Sequence, residues 1–365
     1  MDELKKKLSR HIEIDSVFPE EADYGEFIER RLRDNGFKTE RQEVEEDRFN
    51  VQAEKGTGEI TVAFYGHLDT VPPYGDWSRE PNEPWTEGNK MIGLGALDMK
   101  SGNLAILEAT ENIPDGVKVK VAFGVDEEYM SKGSTALVKE KWASDADILI
   151  VPEKDDKVTH KDIGMGRRGR ISIDVRVKGE SAHAAHPEKG KNAIKESKKL
   201  IREIEKIELG SDKDLGKGEL TIRSMKSDAG SLSIPDEAKM IIDRHMVPGE
   251  TIEGCINQIR EAVETAEVDA EVKLRDRPTP YLKPYKTEKS AVKDFSKVVS
   301  SMFGKPELKY GSSVADENRF AELDIPIITY GPIGKNEHAA DEEVDLRSVK
   351  QLIRVYNKYL EKISK

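Results

Sequence analysis

The chain of 365 residues has a single cysteine, Cys255. One thiol excludes an intramolecular disulfide and any thiolate metal cluster, and so thiol-poor a chain suits a reducing, cytoplasmic compartment. No apolar run approaches the roughly 20 residues of a membrane span, and the opening MDELKKKLSRHIEID is charged where a secretory signal is apolar. Positive charge is also short, with 59 Lys and Arg against 71 Asp and Glu and a formal net charge of -12. No membrane or nucleic-acid partner is therefore expected, because phosphate contacts need a basic face. What is present is a 36% hydrophobic, 36% charged chain, globular in composition and long enough for two domains.

Residues 20–35, EEADYGEFIERRLRDN, read as a helix closed by Gly36. FKTERQEVE and FNVQAEK read as extended, and EITVAFYG as a buried strand that ends at His67. A proline-rich loop leads to MIGLGALDMKSGNLAILEATENI, whose second half reads as a helix packed through Leu104 and Leu107. KVKVAFGV and ADILIVP are further strands, the first ending at Asp126, Glu127 and Glu128 and the second at Glu153. GMGRRG then interrupts the pattern, and the order becomes strand, helix, strand, strand, helix, strand, as in a ferredoxin-like βαββαβ unit. Its first helix sets Ile194, Leu200, Ile201 and Ile204 on one face. After the proline-punctuated RDRPTPYLKP come a helix, the strand IPIITYG, a loop with His338 and a last helix. The expected fold is α/β. A split catalytic domain, 1–169 and 276–365, has a mixed, mainly parallel sheet with helices on both faces, and a ferredoxin-like domain, 170–275, is inserted.

His67, Glu127 with Glu128, Glu153 and His338 each stand just past a strand-like run, and Asp98 follows a glycine-rich turn. In an open α/β sheet the ligand crevice lies beyond the carboxyl ends of the strands. Carboxylates and imidazoles converging there without a thiolate suit a catalytic zinc-type site better than a structural one. Asp69, two residues after His67, is placed to hold the second imidazole nitrogen. Adjacent acids such as Glu127 and Glu128 repel and are seldom kept partly buried without a cation; one can ligate while the other serves as general base. Each feature alone has a plainer reading: a polar turn at His67, a solvated acidic turn, a surface loop at His338, a surface turn at His183 and His186. The glycines of GLGALDMKSG match only part of a dinucleotide fingerprint, since Leu97 or Asp98 occupies the third glycine position, which sets aside a nucleotide-binding oxidoreductase.

In order and approximate spacing, GHLDTVP, GLGALDMKSG, DEE, VPE, GESAHAAHPEKGKNAI and EHAADE resemble the co-catalytic zinc metallopeptidase family. That family includes acetylornithine deacetylase, succinyl-diaminopimelate desuccinylase, aminoacylase and carboxypeptidase G, and the resemblance covers essentially the whole chain. It implies two divalent metal ions, zinc first, with cobalt or manganese as alternatives. Asp98 would bridge them, with His67 and Glu153 on one and Glu128 and His338 on the other. It further implies that Asp69 orients His67, that Glu127 is the general base and that the Asp98–Met99 peptide is cis. His183 would reach the active site of the partner subunit, making the inserted domain a lid and a homodimer interface, and Arg244 would stand near the substrate carboxylate.

The chain departs from the family in three places. VPEKD carries proline before the acid rather than after it, Ser233 stands where relatives carry Asn, and GSSVADENRF replaces the usual Gly-Thr-Asp loop. The implied activity is hydrolysis of a small-molecule N-acyl amino acid of the acetylornithine or succinyl-diaminopimelate type. The alternatives are a carboxypeptidase or dipeptidase acting on a short peptide and, more remotely, a binding protein that has lost catalysis.

Overall fold

The computed structural model describes residues 1–153, 159–230, 232–275 and 282–365. Most of the proline-punctuated segment, 276–281, lies outside the described residues. The chain divides into two compact units, one of Met1–Gly166, Lys286–Gly311 and Ala315–Lys365, the other of Arg167–Tyr285 and Ser312–Val314. These bounds differ from the expected 169/170 and 275/276. The reason is local: the backbones of Arg170 and Leu282 exchange two hydrogen bonds of 2.8 Å, which keeps the end of the return segment with the second unit.

The first unit is built on a sheet whose neighbours run Lys38–Glu45, Arg48–Lys55, Val117–Gly124, Ile60–His67, Ile148–Val151, Ile327–Thr329 and Asp162–Arg167. The four strands from Val117–Gly124 to Ile327–Thr329 are parallel to one another. The first two strands pair antiparallel, as does the Asp162–Arg167 side. Parallel strands covered on both faces need apolar side chains throughout, which is why Ile148–Val151 is ILIV and wholly buried. Successive strand residues point to opposite faces. Phe64 accordingly packs on Tyr356 of the helix Leu346–Ile363, while Tyr65 packs on Phe320 of the helix Glu317–Phe320. Helices thus cover both faces.

The helix Leu346–Ile363 starts where the Asp345 side chain accepts the Arg347 N–H at 2.9 Å, and it buries Val349, Leu352, Val355, Tyr356 and Leu360. Truncating Leu352 to alanine there removes about 2–5 kcal/mol of stability. One local expectation is corrected. GMGRRG does not interrupt the pattern of strands; it spans the end of the strand Asp162–Arg167 and the start of Gly169–Lys178. The charged N-terminus forms the helix Asp2–Ile12, which buries Leu8, His11 and Ile12 at i, i+3 and i+4.

The second unit has a four-stranded antiparallel sheet in the order Glu219–Lys226, Glu237–Met246, Gly169–Lys178, Ala270–Leu274. With the helices Ala193–Ile204 and Ile252–Thr265 this is the βαββαβ sequence of elements. Its core joins Ile171, Ile173, Val175 and Val177 to Leu200, Ile204, Ile256 and Ile259. Ile194 is not part of that face and is 46% exposed. It stands one residue off the buried series Ala193, Ser197, Leu200, Ile204, and 100° per residue carries it to the open side.

Candidate metal centre

Three of the parallel strands deliver a site residue at or just past their carboxyl ends. His67 closes Ile60–His67, Glu127 and Glu128 follow Val117–Gly124, and Glu153 follows Ile148–Val151. His338 comes later than Ile327–Thr329, in the turn between the short paired strands Gly334–Lys335 and Glu343–Asp345. Several loop residues here adopt positive φ, including Asp126 at 72°, His338 at 57° and Asp341 at 55°. Non-glycine residues seldom do so, and such strain collects at functional sites. Gly331 is required by packing, since a Cβ there would overlap the carbonyl oxygen of Glu153.

The carboxylate of Asp98 lies between two imidazoles. One oxygen is 3.0 Å from Nε2 of His67 and the other 3.1 Å from Nε2 of His338. His338 Nε2 is also 3.0 Å from Oε1 of Glu128. Two sets of ligand atoms lie within 4.8 Å of one another: His67, Glu127 and Glu128, and Asp98, Glu128 and His338. The second set is the expected trio for one ion. The first contains Glu127 and Glu128 in place of the expected Asp98 and Glu153, and Glu153 lies outside both sets, though close enough for its charge to act on Glu127. The Asp98–Met99 peptide is cis.

Asp69 holds the site differently from the sequence expectation. His67 Nδ1 is 2.9 Å from the backbone carbonyl of Asp69, which accepts its hydrogen, while the Asp69 carboxylate is 3.7 Å away. That carboxylate instead accepts the backbone N–H groups of Glu127 at 3.1 Å and Glu128 at 2.9 Å. The correction follows from donor geometry: two adjacent amides at the turn can occupy both carboxylate oxygens, leaving the carbonyl for the imidazole.

Burial and crowding by like charges decide the titration of the acids. Burial first, then the charges of Glu153, Glu128 and Asp316, hold Glu127 well above the usual carboxylate range. Burial lifts Asp69 to about 7. Burial also opposes ionisation of Asp98, yet hydrogen bonds from His338 and His67 keep it below the ordinary range. Hydrogen bonds to Asp98 and Glu128 raise His338 to about 11. Asp98 and Glu128 thus meet imidazoles rather than lysine or arginine, and several acids remain at close quarters. A divalent cation fits this donor set: hard oxygens and imidazole nitrogens suit zinc, cobalt or manganese, and the added charge removes the repulsion.

Some participants were not foreseen. Glu342, buried at 2% exposure, accepts N–H groups from Gly95 at 3.0 Å, Leu97 at 2.7 Å and Asp98 at 2.9 Å. Asn103 donates from Nδ2 to the backbone carbonyl of His67 at 2.7 Å. Asp316 accepts the hydroxyls of Tyr65 and Ser134, the latter at 2.6 Å. The only sequence signal for Asp316 was the unusual loop GSSVADENRF, and Glu342 was hidden between two other acids in ADEEV.

Two expected site residues belong to the second unit. His183 is exposed, pairs in strand register with Ser233, and accepts the Ala185 N–H on Nδ1 at 3.1 Å. Arg244 is 1% exposed, donates to the carbonyl of His245 at 2.5 Å and is ion-paired with Glu250. Two of its guanidinium nitrogens are thus held inside the unit, as a buried cation requires a local partner.

Comparison with known proteins identifies the family. Residues 63–362 match peptidase family M20/M25/M40, and the chain belongs to that family of metal-dependent amide-bond hydrolases. A succinyl-diaminopimelate desuccinylase of Thiobacillus denitrificans is 30% identical over 95% of this chain and 91% of its own. Among solved structures, aminopeptidase PepT of Bacillus cereus superposes with a TM-score of 0.84 at 20% identity, over 99% of this chain and 98% of that one. A Bacillus subtilis protein described as a dinuclear metal binding peptidase of the M20 family gives 0.75 at 14% identity, over 99% and 98%. No helix among the described residues is long and apolar enough to cross a membrane.

Proposed function

We propose that this chain hydrolyses the amide bond of an N-acyl amino acid, a succinylated one first, with two divalent metal ions. The observation that carries the reading is the Asp98 carboxylate, shared between His67 and His338, with Glu128 grouped with Asp98 and His338 and Glu127 with His67 and Glu128. Asp98 would hold both ions, joined by His67 and Glu153 on one and by Glu128 and His338 on the other, zinc first among zinc, cobalt and manganese. When bound, such ions lower the pKa of an attacking water and stabilise negative charge on the substrate carbonyl oxygen.

Glu127 takes the proton and delivers it to the leaving amine. A carboxylate whose pKa is raised by burial holds that proton through the middle of the reaction. Asp69 keeps Glu127 and Glu128 in register through their backbone amides. His183, from the partner subunit of a homodimer formed through the inserted unit, supplies a further contact to the developing oxyanion. The single buried cysteine supports a cytoplasmic location.

The test is amine release from N-succinyl and N-acetyl amino acids and from dipeptides, with metal-stripped protein before and after zinc is restored. The proposal expects zinc-dependent release, fastest from succinylated amino acids. Faster cleavage of peptides with a free terminal carboxylate would replace it with a carboxypeptidase or dipeptidase. Silence with no metal bound would replace it with a binding protein.

A further inference from the structure

Glu342 touches no ligand atom, yet it joins two of the loops that carry them. It lies four residues after His338. Its Oε1 accepts the N–H groups of Leu97 and Asp98, its Oε2 that of Gly95, and its own carbonyl accepts the Gly93 N–H at 3.0 Å. Both carboxylate oxygens and the carbonyl of this buried residue are therefore engaged by residues 93–98, the segment that presents Asp98. The neighbouring strand Glu343–Asp345 pairs with Lys90–Ile92, so the two loops are also laced just outside the site. The opposite side of Asp98 is anchored by other means. Met99 receives the His67 N–H on its sulfur at 3.2 Å, and Asn103 donates to the His67 carbonyl at 2.7 Å. Asp98 is thus tied to His67 by the residues that follow it, and to His338 by Glu342.

We propose that Glu342 is a positioning residue that sets Asp98 against His338, and so governs the ion held by Asp98, Glu128 and His338 more than the one on the His67 side. This rests on the two-metal reading above. Groups that orient ligands in this manner typically change metal affinity by about 10–100-fold when removed. The asymmetry follows from the anchoring: with Glu342 gone, the Asp98 carboxylate keeps its registration to His67 through Met99 and Asn103 but loses it to His338. A glutamine retains part of the effect, because its amide oxygen can still accept from Leu97 and Asp98 while its NH2 group faces the Gly95 N–H.

The experiment is calorimetric titration of metal-stripped full-length protein with zinc, backed by cobalt absorption spectra, for the wild type, Glu342→Ala and Glu342→Gln. Glu343→Gln is the neighbouring control, and circular dichroism checks that each variant is folded. The expected result is two ions in the wild type, with one of them weakened about 10–100-fold in Glu342→Ala, less in Glu342→Gln, and not at all in the control. Cobalt spectra of the first equivalent should match the wild type. Two ions bound with wild-type affinity in Glu342→Ala would overturn the proposal, as would equal weakening of both. Should Glu342→Ala fail to fold, Glu342→Gln decides by the same criteria. A wild type that binds fewer than two ions overturns the two-metal reading itself, whatever the variants do.

Discussion

His11 and His67 are buried to nearly the same degree, at 2% and 1% exposure, in one compact unit, and they titrate in opposite directions. His11 has Tyr24 for a partner, its Nδ1 lying 2.8 Å from the hydroxyl, with Phe27 edge-on against the ring. Burial, then the charges of Lys100 and Arg31, push it down to about 3. His67 has Asp98 and Asp69, and although burial works against the cation, those carboxylates raise it well above its ordinary range. Burial alone therefore does not distinguish a core histidine from a ligand. The sign of the surrounding charge does. Around His11 the imidazole is kept neutral beside the Tyr24 hydroxyl, whereas around His67 acids stand in excess, as the proposed cation would require.

The strongest way to break that contrast is to neutralise one of the excess acids. Glu127→Gln should lower turnover by up to about 10⁴-fold while two metal ions stay bound, checked by steady-state rates beside metal analysis. A near-normal rate would remove Glu127 as the base. Next in size, Arg244 tests whether a buried charge with a built-in partner behaves like the His11 region. Arg244→Met should cost about 3–5 kcal/mol in urea unfolding, because Glu250 loses its cation. Unchanged stability with a raised KM would instead return Arg244 to the substrate carboxylate.

His183→Ala should slow turnover by about 10²-fold with metal content intact; loss of zinc would make His183 a ligand. The smallest effect sharpens the comparison at its quiet end. The folded pKa of His11 lies below its usual 6.5, so its contribution to stability is complete above about pH 6.5 and is lost as pH falls towards the folded value. The loss is about 1.4 kcal/mol per pH unit. Urea unfolding between about pH 7 and pH 5 should show that slope in the wild type and not in His11→Gln.

The sequence made the site legible where chemistry and strand pattern coincide. His67, Glu127, Glu128 and His338 are legible because each follows a strand-like run, and the structure sets His67, Glu128 and His338 about Asp98, with Glu127 grouped with His67 and Glu128. The order of elements in the second unit was equally readable, since helix and strand periodicities differ. What could not be read was choice among like residues. Nothing in ADEEV says that Glu342, and not Asp341 or Glu343, turns inward to three amides, because that depends on the positive φ of Asp341 and on pairing with Lys90–Ile92. The role of Asp69 is ambiguous in sequence for a related reason: its carboxylate and its carbonyl are both within reach of the site, and only the folded turn decides which meets the imidazole. Ile194 stands one helical step off the expected face, because periodicity fixes the phase of a helix poorly near its start.

The central claim is that the acids around Asp98 exist to hold two metal ions that drive amide hydrolysis. Its most direct test is the rate of amine release from an N-succinyl amino acid as zinc is added stepwise to stripped protein. The account predicts a rate near zero without metal that rises and levels off at two equivalents per chain. A rate that survives stripping, or two bound ions with no release from any acyl amino acid or peptide, would contradict it.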